Sequence, residues 1–338
     1  MTSTSSSSNR LTLANWLNIR NTLFGAVLIV IVYSYANNAQ TTTAVLASTI
    51  RQSTPLVLGA LCGLLNERSG VVNIGIEGQM LMAAFVGFLT SVYTGNLFIA
   101  VLAGIFTGMV MGGFLSFMSV TLKMDQIIGG TVINILALGL TSFFYQTGLT
   151  TQGKLQAIAI PTLSDIPLIG PVLFDNPPIT YTTILLVFVV HYVLFYTKWG
   201  LRTRAVGEHP SAADTVGINV YMMRHVNVII GGGIAGLAGV FLSLESVGSF
   251  ERAMTNGRGF VALAVMLFGK RTPFGAWGAA LLFGFATALQ TQLQFGGNIN
   301  IPHQFIGMLP YALTILVLAG FVGRTRDPKA LGQPYETE

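Results

Sequence analysis

Apolar residues run in blocks of about twenty along most of this chain, separated by short polar breaks. A helix that crosses a bilayer needs about 20 mostly apolar residues. Ten blocks qualify: Thr22–Tyr35, Ala44–Leu65, Ile74–Tyr93, Leu97–Leu122, Ile127–Tyr145, Tyr181–Tyr196, Val226–Glu245, Phe260–Phe268, Phe274–Thr291 and Phe305–Val322. The eighth is too short to span as written, so it is a half-helix or it borrows residues from its flanks. No stretch alternates apolar and polar positions as the strands of a membrane barrel do. The pattern predicts an all-α polytopic membrane protein of about ten helices. Residues 22–322 form the membrane domain, between tails at 1–21 and 323–338.

Composition sharpens this reading. Charged residues are 9% of the chain and hydrophobic residues 52%, where soluble domains carry about 25% charge. Lipid is therefore the main solvent for most of the chain, and intrinsic disorder is excluded. The one cysteine, Cys62, excludes an intramolecular disulfide and a cysteine metal cluster. The net charge of +5 contains no long basic run, so it argues for loop anchoring and against nucleic-acid binding. With the N-terminus inside, thirteen of the seventeen Lys and Arg residues fall in cytoplasmic segments; Lys154, Arg252 and Arg258 fall outside and Arg51 lies within a span. That asymmetry predicts N-in, C-in. Arg10 and Arg20 before Leu23–Tyr33 have the look of a signal peptide, but the small-x-small cleavage site is poor, so an uncleaved first helix is expected. Thr2–Ser8 is a low-complexity tail with nothing to bury.

Two polar breaks are long. Gly148–Thr180 carries five prolines and cannot be one helix; it is a solvated connector or part of an outer docking surface. The loop 198–225 is basic. Within it Ser211 can cap a short helix through Ala212, Ala213 and Asp214 to Val216, which Gly217 can end in the left-handed conformation, with Pro210 setting the entry. Such a helix lies at the headgroups or presents a knob to a partner's groove.

Polar groups at membrane depth are costly and mark function. Arg51 near an outer helix end can snorkel to the interface, and Pro55 permits a kink. The run Asn66–Met80 is polar and rich in glycine between two apolar spans. Its Asn73, Glu77 and Gln79 carry polar groups into the next helix, and Glu67 and Arg68 can neutralise each other. A second such run, Phe250–Phe260, holds the adjacent Glu251 and Arg252 together with Asn256. The predicted topology puts the first run on the inner side and the second on the outer, which suggests an inverted repeat. Gly231, Gly233 and Gly236 match a dinucleotide pattern but follow no strand. Small residues four apart, at Gly104, Gly108 and Gly112 and at Gly231, Ala235 and Gly239, fit helix packing instead. The four histidines are scattered, no nucleophile, metal or phosphate-loop motif is present, and neither an enzyme site nor a cofactor is expected. Phe143, Phe144 and Tyr145 read as an interfacial belt or a stacking platform.

Three blocks carry a resemblance. Asn66–Met80 resembles the signature of permease subunits of ATP-binding-cassette importers of the ribose and branched-chain amino-acid type, nucleoside or simple-sugar subgroup. Arg204–Val220 is similar to that family's cytoplasmic loop, and Met254–Ala264 with Phe274–Ala286 to its later core. The resemblance implies a division of labour: a cytoplasmic ATPase, a second and related permease, and an extracytoplasmic substrate-binding lipoprotein would work with this chain in the cell membrane. It places the ATPase-coupling helix at Arg204, Gly207, Glu208, Pro210, Ala212, Ala213, Asp214, Gly217 and Ile218, with His209 where Asn is more usual. Asn73, Glu77, Gln79, Asn134 and Asn256 are the expected lining of the path for a nucleoside or simple sugar. The competing class is an ion-coupled secondary transporter, which would more often show several carboxylates in mid-span.

Overall fold

The computed structural model describes residues 29–151, 153–295, 305, 307, 308, 312 and 326–336. The first and tenth predicted spans fall partly and almost wholly outside the described residues, as does Thr2–Ser8. A helix described over 29–37, α1, leads into α2 (Ala39–Arg68), which Asn38 caps by accepting from the Thr41 N–H. At 30 residues α2 is about 45 Å long, more than a bilayer core of about 30 Å. It passes Pro55 without a break, and the hydroxyls of Ser53 and Thr54 both donate to the Ile50 carbonyl in the turn before it.

Among the described residues six helices are long and apolar enough to cross a membrane. They are α3 (Ile76–Thr94), α4 (Leu97–Ser116), α5 (Gln126–Phe143), α7 (Pro178–Tyr196), α10 (Val220–Val240) and α12 (Pro273–Phe295). α4 and α10 each end in a π-turn, at Phe117–Thr121 and Phe241–Val247. Asn96 and Asp125 cap α4 and α5 through their side chains, as expected of short polar residues before an apolar run. The eighth predicted span is α11 (Arg258–Phe268), whose eleven residues cover about half the bilayer core. It is a half-helix that takes only Arg258 and Gly259 from its flanks.

α10 is the centre of the bundle and the most enclosed of the six. Gly104, Gly108 and Gly112 of α4 lie on it, but against Val240, Gly236, Gly232 and Val228. The Gly231 stripe faces elsewhere: Gly231 meets Asn66 and Cys62 of α2, and Gly239 meets Met80 and Ala84 of α3. Small residues thus line several faces of α10, and three helices close on its backbone. The dinucleotide-like glycines sit inside this packed helix.

The chain between α5 and α7 is ordered over one end of the bundle. It contains β1 (Ile158–Ala159) and β2 (Asp175–Asn176), paired antiparallel, and the short helix α6 (Ile169–Leu173). Arg51 holds it by donating to the Asp175 carbonyl at 3.0 Å and to Asn176 Oδ1 at 3.4 Å, so this arginine clamps the connector. The opposite, basic end carries α8 (Lys198–Glu208), α9 (Pro210–Thr215) and the segment 326–336.

Candidate translocation cleft and coupling surface

At the basic end α2 stops at Arg68 and the chain turns back into the bundle through Ser69–Gly75. Gly70 takes a φ of +90°, which only glycine adopts freely, and the Val72 N–H donates to Gln126 Oε1. α3 then starts beside Gly59 and Gly63 of α2, well inside the end of that helix. From the other end the chain re-enters after Gly248, and α11 starts at Arg258 behind Gly257, with Ala262 against Gly59 and Met266 near Gly63. The two polar runs do enter from opposite ends, but they do not stay apart. Glu77 Oε1 accepts from the Gly257 N–H at 2.8 Å and Oε2 from the Gly259 N–H at 2.6 Å. The α3 carboxylate thus caps α11 at the positive end of its dipole.

Asn134 of α5 completes the junction. Its Oδ1 accepts from the Gly78 N–H at 2.7 Å, and its Nδ2 donates to the Ile74 carbonyl at 3.1 Å. These residues border a cleft of about 270 Å³ lined by Glu77, Asn134, Asn256, Leu138 and Phe260 among others. A second cleft of about 440 Å³, which shares Ala253 and Asn256 with the first, is bordered by Glu251, Arg252 and Arg258. Arg252 does not pair with Glu251; its guanidinium lies over the Tyr145 ring at 5.0 Å. Phe143 and Phe144 are exposed, whereas Tyr145 packs on Phe250. Asn73 and Gln79 lie away from the cleft. Both are fully buried and belong to a polar cluster in which Asn73 Nδ2 donates to Gln79 Oε1 at 3.2 Å beside Cys62 and Asn66.

A second carboxylate, buried where Glu77 is half-buried, does the same work. Glu245, in the π-turn of α10, accepts from the Ile179 N–H at 2.7 Å and from the N–H and hydroxyl of Thr180 at 3.2 and 2.7 Å. It caps α7, a role the sequence signals only as a lone Glu at the end of the apolar block Val226–Glu245. Thr180 just after Pro178 is its partner and carries no signal of its own.

At the basic end Glu67 is paired with Arg271 at 2.5 Å, not with Arg68, and Arg68 donates to the Arg271 carbonyl. The sequence neighbour is on the wrong side of the turn, and the loop after α11 supplies the cation. Gly207 is packed so closely on the Arg68 carbonyl that a Cβ there would lie 2.3 Å from it. Arg204 stacks on Phe195 at 5.1 Å. α9 begins at Pro210 with His209 as its cap residue and no side-chain cap; Ser211 lies within the helix and does not cap it. Gly217 has the expected left-handed φ, +81°, and the Ile218 N–H returns to the Ala213 carbonyl. Ala213 is buried with Val206 and Val220. Ala212, Thr215 and Val216 face outward, Val216 at 74% exposure. Among the described residues no group of three His, Cys, Asp or Glu is placed to hold a metal ion.

A family profile described as the branched-chain amino acid transport system / permease component matches residues 45–318. The chain belongs to that permease family. It is a transport subunit and a multi-pass protein of the plasma membrane. It is similar to the guanosine ABC transporter permease protein NupQ of Bacillus subtilis, at 40% identity over 86% of this chain and 96% of the relative. It is also similar to the nucleoside ABC transporter permease protein NupC of Lactococcus lactis, at 37% identity over 88% and 98%. A lower identity, 29% over 70% of both chains, links it to the guanosine ABC transporter permease protein NupP of Bacillus subtilis. No solved structure matches it significantly.

Proposed function

We infer that this permease subunit of an ATP-binding-cassette importer carries a nucleoside through the cleft bordered by Glu77, Asn134 and Asn256. The observation that supports this reading most is the similarity to guanosine and nucleoside permeases along nearly their whole length. The chain crosses the membrane ten times, N-in and C-in, as one domain over 22–322, with two inverted halves whose re-entrant helices are α3 and α11. The basic end is cytoplasmic, which accords with the charge asymmetry of the loops. α9 is the knob that a cytoplasmic ATPase grips, with Arg204, Gly207, Glu208, Pro210, Ala212, Ala213, Asp214, Gly217 and Ile218 forming or supporting it. ATP hydrolysis belongs to that partner. One organism carries two guanosine permeases, and this chain is closer to NupQ than to NupP, which favours a second, different permease beside it. An extracytoplasmic lipoprotein would deliver the ligand to the end covered by the 146–177 connector. In this reading Asn73 and Gln79 line the path only when the polar cluster around Cys62 opens.

A simple sugar is the second reading, because a Haloferax volcanii permease named for glucose is 36% identical over 87% of this chain. Uptake of labelled guanosine and of labelled glucose by cells expressing the full importer separates the two, and uptake of neither refutes both. Changing Glu208 and Asp214 together, to Gln and Asn, tests the coupling site. Loss of uptake with the membrane assembly intact is expected, and unchanged uptake refutes the assignment.

A further inference from the structure

The segment 326–336 has no regular secondary structure and is not part of any predicted span, yet it is bonded across the whole basic end. The Ala330 N–H donates to the Gly207 carbonyl at 3.0 Å, and the Gly332 N–H to the Gly70 carbonyl at 3.1 Å. Buried Arg224 of α10 donates to the Gln333 carbonyl at 2.8 Å. The Tyr335 hydroxyl donates to Asp214 Oδ2 of α9 at 2.8 Å, and its ring is buried with Ala213, the inward residue of that helix. Tyr221 donates to the Tyr335 carbonyl, and Glu336 pairs with Lys123 in the turn between α4 and α5. A solvated tail would leave its backbone groups to water. Here they are spent on fixed points of two kinds. One kind is α9, at Asp214. The other is the re-entrant turn at Gly70, six residues before the start of α3 and seven before Glu77.

We propose that residues 326–336 are a tie that carries displacement of α9 to the re-entrant turn before α3, with Tyr335 and Gly332 as its two positioning residues. The proposal rests on the reading of α9 as the ATPase-coupling helix. Gly332 holds one end because glycine adopts its φ of +76° without the strain a branched side chain would bring. Two residues, Gln333 and Pro334, separate it from Tyr335, so an extended chain of about 10 Å joins the two anchor points. So short a link between buried anchors has little slack. When α9 moves, Gly70 is drawn with it, and the α3 terminus that holds Glu77 against α11 moves in turn. Direct packing of Gly207 on Arg68 supports the same end but does not reach Asp214.

The test uses Tyr335→Phe, which keeps the ring and removes only the hydroxyl, and Gly332→Val, which forbids the left-handed turn. Each is assembled with the ATPase and second permease in proteoliposomes, and three quantities are read: retained ATPase, ATP hydrolysis, and guanosine moved per ATP. The tie predicts retained ATPase and hydrolysis with transport per ATP down about tenfold, within the usual range for coupling between sites. Unchanged transport per ATP in both variants overturns it. So does loss of the ATPase from both, which would make the segment a docking element. A parent complex that retains no ATPase overturns the coupling reading itself, a failure visible before any variant is made.

Discussion

Glu77 is the side chain on which the two re-entrant helices meet, and Glu77→Gln changes it without changing its size. The glutamine oxygen can accept one of the two N–H groups now held at 2.6 and 2.8 Å. Its amide nitrogen is a donor and turns toward the other. A hydrogen bond to a charged acceptor contributes about 1.5–3 kcal/mol, and an unsatisfied buried donor costs about 1–3 kcal/mol. Loss of the charge at the α11 terminus adds up to about 2 kcal/mol in a partly buried setting. These overlap, so the net penalty is about 3–5 kcal/mol. The expected result is a melting temperature several degrees lower for the purified complex, with uptake reduced to a small fraction. Gly259→Ala attacks the same contact from the other side, since its Cβ would lie 2.5 Å from the Glu77 backbone, and it should give the same pair of defects. A Glu77→Gln complex that melts and transports like the parent would refute the junction.

Three further outcomes follow from the packing. Gly108→Val drives a branched side chain into the Gly232 carbonyl, 2.2 Å from where even a Cβ would sit; overpacking costs about 1–3 kcal/mol or more, and yield and melting temperature should both fall. Arg271→Met leaves the Glu67 carboxylate buried and unpaired and should cost about 3–5 kcal/mol, while adding Glu67→Gln should recover much of that loss in the same melting assay. Val216→Asp on the outer face of α9 should leave the melting temperature unchanged and strip the ATPase from the purified complex; retention of the ATPase would remove that face from the docking surface.

The periodic part of the fold was legible because lipid imposes it. Long apolar blocks must be helices, and the second to ninth blocks map onto α2, α3, α4, α5, α7, α10, α11 and α12 with ends shifted by a few residues. Asn66–Met80 and Phe250–Phe260 stood out because glycine and uncompensated polar groups have no business in a plain span. Their contact did not stand out. The register that puts Glu77 on Gly257 depends on how deeply each loop re-enters, and no local pattern encodes that depth. The same holds for Glu67, whose apparent partner was its neighbour Arg68 while its true partner lies 204 residues away. Ser211 was read as a cap from its residue type alone, but Pro210 already occupies the first turn and moves the start of α9 back to His209. The 326–336 segment gave no signal, because it is held largely through its backbone.

Half-buried Glu77 and buried Glu245 also bear on what drives transport. In a proton-coupled carrier a carboxylate at membrane depth takes up and releases the proton as the path opens alternately to each side. Within the described spans the acidic residues at depth are Glu77 and Glu245. Each has both oxygens engaged by N–H or hydroxyl donors at a helix start. Protonating either one would turn one accepting oxygen into a hydroxyl and withdraw the negative charge from a helix start, so the caps oppose proton uptake at these two groups. On the basic end the bundle exposes Ala212 of α9 and Val216 just after it, the face that the proposed coupling reading gives to a cytoplasmic ATPase.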